Sequence, residues 1–263
     1  MEVELKSICD KANAITVDVG KFIHEQSQRI HEIIVEEKDA NDLVSIVDRK
    51  AEEQLVERLG KLLPEAGFIT EEDTPNVRGK EWEWIIDPLD GTTNFLYGVP
   101  CFSISVGLRR SEKLVLGVIY EVNLGELFYA WENGKAYLNN KTIHVSKRKT
   151  LQECVLATGF PFRDFEHQEK YLKAFGHFMR HTRGLRRLGS AAVDLAYVAC
   201  GRFDGFFEYN LNPWDVAAGA IIVKEAEGKV TDFDGGQNYL FGKKIIASNP
   251  NIIKDLQATL AEL

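Results

Sequence analysis

The stretch Trp84-Ile85-Ile86-Asp87-Pro88-Leu89-Asp90-Gly91-Thr92-Thr93-Asn94-Phe95 decides how this chain reads. An apolar run of the kind that fills a buried strand ends in one acid, Asp87, and a turn with a second acid, Asp90, follows. Pro88 fixes its own φ, so the spacing predicts a strand end at a sheet edge from which both carboxylates face one point. Two carboxylates so placed suit a hard cation. Gly91 lets backbone approach a ligand closely, and Thr92-Thr93 at a predicted helix start offers hydroxyls and free N–H groups, which is anion-binding chemistry. D-P-x-D-G is also ordinary turn chemistry, so the segment needs partners elsewhere in the chain.

Two such partners are visible. Glu71-Glu72-Asp73 follows the apolar Gly67-Phe68-Ile69-Thr70, with Glu71 sixteen residues before Asp87. Asn212-Pro213-Trp214-Asp215-Val216-Ala217-Ala218-Gly219 sets Asp215 in the first turn of a helix of small residues, which can pack closely. Each alone has an ordinary reading, a solvated acidic face and an acid that complements a helix dipole.

The bulk numbers exclude several classes. Of 263 residues, 32 are Lys or Arg and 40 Asp or Glu, a net charge of −8 that argues against a nucleic-acid-coating protein and requires any phosphate ligand to be met locally. Hydrophobic residues at 44% and charged residues at 27% are ordinary for a globular, soluble protein. Apolar runs such as Val216 to Val223 are far below the ~20 residues of a membrane span. Glu2 and Glu4 stand where a signal peptide carries positive charge, which predicts a cytoplasmic protein. Cys9, Cys101, Cys154 and Cys200 form no CxxC pair and read as buried, reduced thiols.

Leu5, Ile8, Ala12, Ile15, Val19 and Phe22 recur at helical spacing, as do Ala51, Leu55 and Leu59, with a loop expected from Glu36 to Asp48. From Trp82 to Val145 alternation such as Phe102, Ile104, Val106 and Leu108 predicts a mostly antiparallel sheet, with a hairpin at Asn133-Gly134. Helices are expected at Tyr171 to Met179, Ser190 to Cys200, and Pro213 to near Gly228. A last one is expected from Asn249-Pro250, a cap followed by the favoured first-turn proline. Two sub-domains, 1–146 with the antiparallel sheet and 147–263 of strand-helix alternation, are the expected organisation.

DPLDGTTNF and WDVAAG, in that order and about 120 residues apart, resemble the inositol monophosphatase family of magnesium-dependent, lithium-sensitive phosphatases. NDLVSIVD, RRLGSAA (Arg186 to Ala192) and FFEYNLNPWD extend the resemblance over most of the chain. The resemblance implies a layered αβαβα sandwich, a likeness to homodimers, and two or three magnesium ions per site, with manganese as a substitute. It implies Glu71, Asp87 and the Leu89 carbonyl as ligands of one metal, and Asp87, Asp90 and Asp215 as ligands of a second. A third ion would lean on Glu71 and waters. Asp48 resembles the acid that works with Thr92 to position and deprotonate the attacking water. The Gly91 and Thr92 backbone would hold the phosphate, and Glu208, the Ala191 backbone and Asn212 the substrate hydroxyls. Thr70 stands where the family commonly has glycine, a departure that removes no ligand.

The implied activity is hydrolysis of myo-inositol 1-phosphate. Fructose 1,6-bisphosphate, histidinol phosphate and a 3′-phosphonucleotide are rival substrates, and an interaction protein of the transcription machinery on the same fold is the alternative of another class. Three other features stand apart from the motifs. His177 and His181 have metal-ligand spacing without a third ligand. Arg180, Arg183, Arg186 and Arg187 form a basic patch, read first as solvated or dimer-buried, with RNA or a bisphosphorylated substrate as alternatives. Lys147-Arg148-Lys149 reads as the cap of a surface loop, and Lys38 as part of a lid over the site.

Overall fold

The computed structural model describes residues 4–30, 35–39, 42–72, 79–160 and 168–261. Helices α1 (Leu5–Ser27) and α2 (Ile46–Leu62) bury the predicted apolar stripes, Ile8, Ala12, Ile15 and Val19 on one and Ala51, Leu55 and Leu59 on the other. Between them, where a loop is expected, β1 (Val35–Asp39) and β2 (Asp42–Ser45) pair as an antiparallel hairpin. Glu36, Glu37, Lys38 and Asp39 carry no apolar alternation, so nothing in their sequence marks a strand. Lys38 lies in β1; its side chain, and with it the lid expectation, falls outside the described residues.

β3 (Gly67–Thr70) runs parallel to β4 (Trp82–Asp90), and the single turn α3 (Thr92–Leu96) leads to β5 (Ser103–Arg110). β6 (Lys113–Glu121), β7 (Glu126–Trp131), β8 (Ala136–Leu138) and β9 (Lys141–Ile143) then add antiparallel, completing a seven-stranded sheet in chain order. Asn133, at φ 61°, sits in the turn between β7 and β8 that the Asn-Gly pair predicts.

The chain continues through β10 (Val155–Thr158), α4 (Gln168–His181), β11 (Gly184–Arg186), α5 (Ala191–Ala199) and β12 (Gly205–Tyr209). It ends with α6 (Pro213–Glu225), β13 (Lys229–Thr231), β14 (Lys244–Ser248) and α7 (Ile253–Leu260). The second sheet is mixed, in the order β11-β10-β12-β14-β13.

The apolar contacts stack these elements in five layers. Ile104, Val106 and Leu108 of β5 pack with α1 and α2; α5 and α6 fill the space between the sheets with Ile119, Phe128, Phe206 and Ala247; α4 and α7 close over Phe207 and Ile246. The arrangement is the layered αβαβα sandwich. Both faces of the first sheet are therefore covered, and the small residues of β5 and β6 have a packing reason. A Cβ on Gly107 would stand 2.8 Å from the Ala217 Cβ, and one on Gly117 would stand 2.5 Å from the Ala218 carbonyl oxygen. Only a strand without side chains at these points lets α6 lie this close.

The first sheet ends at Ile143 and the second begins at Val155, but α6 from the second stretch packs on the first sheet. Helix α7 begins at Ile253, not at Asn249-Pro250. The Asn249 side chain is committed to a local turn, with Oδ1 accepting from the Asn251 N–H at 2.8 Å, and to Ser146, so it caps no helix.

Candidate active site

An ideal strand puts residues three apart on opposite faces, so Asp87 and Asp90 should point away from each other. They do not, because β4 is bulged. Asp87 pairs with Ser105 and Asp90 with Ser103, three steps on one strand against two on the other. The extra residue, at Pro88-Leu89, restores Asp90 to the face that Asp87 occupies. The strand thus runs on to Asp90 and does not end at Asp87, and β4 is an interior strand of its sheet with every residue buried. That face looks between the sheets toward α5 and α6: Ser105 donates to the Trp214 carbonyl at 3.0 Å, and the Ser103 and Ser190 hydroxyls lie 3.3 Å apart.

The acids gather around Asp87. Glu71, just past β3, hydrogen-bonds it, and Asp90 and Asp215 act on it as like charges. Burial, then these three neighbours, push the Asp87 carboxyl well above the usual carboxylate range. Its Oδ1 also accepts the Leu89 N–H at 2.9 Å. Asp90 is pushed up by burial to about 6, less than its surroundings would give alone, because Ser190 and the Ala192 and Ala191 N–H groups donate to it. These are the first N–H groups of α5, which makes the helix N-terminus a partner of the acid. The Ala191 N–H thus turns to Asp90; the backbone of this residue is the one expected near a substrate hydroxyl.

Asp215 is the third residue of α6, and its Oδ2 accepts the Asn212 N–H at 2.7 Å in a capping box. Asn212 is accordingly the N-cap of α6, a structural task distinct from the substrate contact expected for it. Glu208, the fourth residue of β12, has its carboxylate lying where Gly159 has no side chain; a Cβ there would sit 1.8 Å from Oε1. Burial, then Asp215, push Glu208 up to about 8.

On the opposite rim Asp48, buried in the first turn of α2, accepts from the Thr92 hydroxyl at 3.0 Å. The same hydroxyl lies 3.0 Å from the Leu89 carbonyl oxygen, so one proton serves two acceptors. Gly91 caps α3 at φ 96°, and a Cβ would come within 3.1 Å of the Cys101 carbonyl oxygen and 3.2 Å of that of Gly189. Glycine is required here by both conformation and space.

Three participants escape the sequence reading. Glu52, one turn after Asp48, accepts the Glu72 N–H at 2.8 Å and so ties the acidic segment to α2. Its signal was an acid on the apolar Val47, Ala51, Leu55 face. Ser190 bridges α5 to Asp90 across a separation of 100 residues, which no local pattern reveals. Asp194, buried in α5, has an Oδ1 without a hydrogen-bond partner, and burial followed by the charges of Glu208 and Asp90 holds its carboxyl well above the usual range.

The donors here are carboxylate, carbonyl and hydroxyl oxygens, which fit magnesium or manganese and not zinc. Among the described residues no three His, Cys, Asp or Glu side chains form a finished metal cage. Magnesium tolerates this, since it keeps waters and takes one or two carboxylates. The crowding at Asp87 is itself the fit, as like charges buried together are relieved by a cation. His177 and His181 stack in α4 with ring centroids 4.2 Å apart.

The model of the inositol monophosphatase family matches residues 4–263. The chain belongs to the inositol monophosphatase family. It is 42% identical over 246 residues to the Nus factor SuhB of Pseudomonas aeruginosa, covering 92% of this chain and 91% of the other. It is likewise 42% identical over 243 residues to an inositol-1-monophosphatase of Rhizobium meliloti, covering 92% and 91%. The crystal structure of the extragenic suppressor protein SuhB from Bartonella henselae superposes with a TM-score of 0.90 at 41% identity, covering 94% of this chain and 95% of that one. The family is generally metal-dependent, and a phosphatase is what membership supports. No helix among the described residues is long and apolar enough to cross a membrane.

Proposed function

We propose that the protein is a magnesium-dependent phosphomonoesterase that hydrolyses myo-inositol 1-phosphate to inositol and phosphate. The convergence of Glu71, Asp90 and Asp215 on Asp87, beside the Thr92–Asp48 hydrogen bond, carries the reading. Glu71, Asp87, Asp90, Asp215 and the Leu89 carbonyl would hold the metals. When bound, magnesium ions supply charge for the phosphate and a lowered pKa for the attacking water.

Thr92 donates its proton toward Asp48, which leaves its oxygen lone pairs to accept a proton from water. Asp48 is then the terminal base, and the proton reaches it through the hydroxyl. The Gly91 and Thr92 backbone, at the start of α3, receives the phosphate oxygens. Glu208, its carboxylate lying against Gly159, engages a hydroxyl of the alcohol. Asn212 and the Ala191 backbone contribute by fixing Asp215 and Asp90. The same reading includes lithium inhibition, a homodimer and a cytosolic location.

Phosphate release from myo-inositol 1-phosphate, fructose 1,6-bisphosphate, histidinol phosphate and a 3′-phosphonucleotide, each titrated with magnesium, tests this. The highest kcat/KM is expected for myo-inositol 1-phosphate, and release that does not depend on metal contradicts the mechanism. A second reading, a transcription-associated role, is favoured by the similarity to proteins called Nus factor SuhB. Association with RNA polymerase in the absence of any turnover is the result expected for that reading alone.

A further inference from the structure

We propose that His177 and His181, at the C-terminal end of α4, form a binding site for a borderline divalent transition metal, with Cu2+ the tightest. The site shares no residue with the acid pocket and does not rest on the phosphatase reading.

The two imidazoles stand one helical turn apart, so both project from the same side of α4. Their rings lie side by side, with centroids 4.2 Å apart and planes 25° from parallel. The helix beneath them is firmly closed. Thr182 donates both its N–H, at 3.0 Å, and its hydroxyl, at 2.7 Å, to the Phe178 carbonyl, and the Phe178 side chain is buried. His177 meets the ring of Phe178 edge-on, with centroids 5.7 Å apart.

The tautomer of His181 is set by the same turn. Its Nδ1 lies 2.8 Å from the His177 carbonyl oxygen, which can only accept, so Nδ1 carries the proton and Nε2 keeps a bare lone pair. One ring nitrogen held on a backbone carbonyl while the other is left to bind is the arrangement that metal-ligating histidines use. Burial, then His181 and Arg180, hold the His177 imidazole below its ordinary pKa, which favours the neutral ring that a metal requires.

The surroundings select the metal. Among the described residues no third His, Cys, Asp or Glu joins the pair, so water fills the remaining positions. Cu2+ and Ni2+ accept nitrogen and oxygen donors in tetragonal geometry and suit such a site better than Zn2+, whose structural sites are closed by four protein ligands. Between Cu2+ and Ni2+ the general order of affinities places Cu2+ first. Arg180 adds a positive charge nearby, its Nη1 lying 3.7 Å from where a Cβ on Gly176 would stand. That charge opposes a hard ion such as Mg2+, which is held by oxygen ligands and their charge, more than a metal held by nitrogen lone pairs. Binding requires the rings to splay from their stack, a side-chain rotation that the exposed position of His181 permits.

The test is a Cu2+ titration of the untagged chain in excess magnesium, followed by calorimetry and electron paramagnetic resonance. The wild type is compared with His177→Ala, His181→Ala and, as a control, His144→Ala, a histidine outside α4 that pairs with Glu227 at 3.3 Å. The tightest Cu2+ of the wild type should show coupling to two imidazole nitrogens and should stay bound as magnesium is raised. Each α4 variant should weaken that binding at least about tenfold, since even losing the partner behind a metal ligand costs that much, whereas His144→Ala should leave it unchanged. Ni2+ and Zn2+ should displace it only at higher concentration. Metal-free melting temperatures close to wild type identify folded variants, and His181→Gln serves in place of His181→Ala if the latter does not fold. Tightest binding that survives in both α4 variants, that couples to a single nitrogen, or that excess magnesium displaces overturns the site, the last because the ion would then sit among the acids.

Discussion

Two regions of the molecule bury carboxylates in opposite ways. Asp204, which is 0% exposed just before β12, is fully answered: Ser146 and Arg148 donate to its Oδ1 and the Val155 N–H to its Oδ2 at 2.8 Å. Its backbone carbonyl also accepts the Asn249 N–H at 3.1 Å. Asp87, 2% exposed, has the Leu89 N–H and is otherwise crowded by acids. The fold can satisfy a buried acid when its task is to join strands, and here it joins the 146–155 connection to the second sheet. Between the sheets it sets Asp87 among like charges, the arrangement expected where a ligand is to complete the set.

The largest test of this contrast is Asp87→Asn. Metal-dependent phosphate release should fall by about a thousandfold or more, as for loss of a group acting with others as a unit. Circular dichroism should be unchanged, and the metal-free melting temperature equal to or above wild type, since one repelling charge is gone. A clear drop in that temperature would place Asp87 in the same class as Asp204. Next, Thr92→Ala should lower kcat about a hundredfold, within the range for a lost proton-transfer group, with the magnesium half-saturation point shifted less than about threefold. An equal loss of metal affinity contradicts its assignment to water.

Asp204→Asn should show the reverse pattern. It should cost about 2 kcal/mol of stability in urea unfolding by leaving donors poorly matched, with kcat per folded molecule unchanged within about twofold. The smallest effect is on pH. Asp87, Asp90 and Glu208 have folded pKa values above their ordinary ones, so the native state holds more protons than the unfolded chain. Their contribution is complete at low pH and is lost as pH rises through about 6 for Asp90 and about 8 for Glu208. Metal-free wild type should therefore lose more stability than Asp87→Asn as pH is raised over that window, and magnesium should flatten the difference. Parallel profiles for the two proteins would show that the acids are not coupled.

Much of this was legible in the chain. The apolar run before Asp87 read as a strand, the apolar stripes of α1 and α2 as helices, and Pro213 to near Gly228 as a helix of small residues that packs closely. The failures share a cause. The β1–β2 hairpin pairs Glu36 and Glu37 with Val44 and Leu43, Asn249 spends its cap-forming side chain on Ser146 and Asn251, and β11 and β13 are three-residue edge strands. In each case the deciding partner is remote or carries no side-chain period. Arg148 is similar: within Lys147-Arg148-Lys149 it reads as loop charge, but it is paired with Asp204 at 2.9 Å.

By itself the sequence determined the chemical inventory: oxygen donors without a zinc set, a threonine and glycine beside them, and a helix of small residues that demands close packing. What only the tertiary structure decided is where those groups point. One extra residue in the β4–β5 register turns Asp90 to the side of Asp87, and the docking of α5 brings the Ser190 hydroxyl and two N–H groups to it across 100 positions of chain. Pairing register and helix docking are set by contacts summed over distant segments, whereas composition and local period are properties of neighbours.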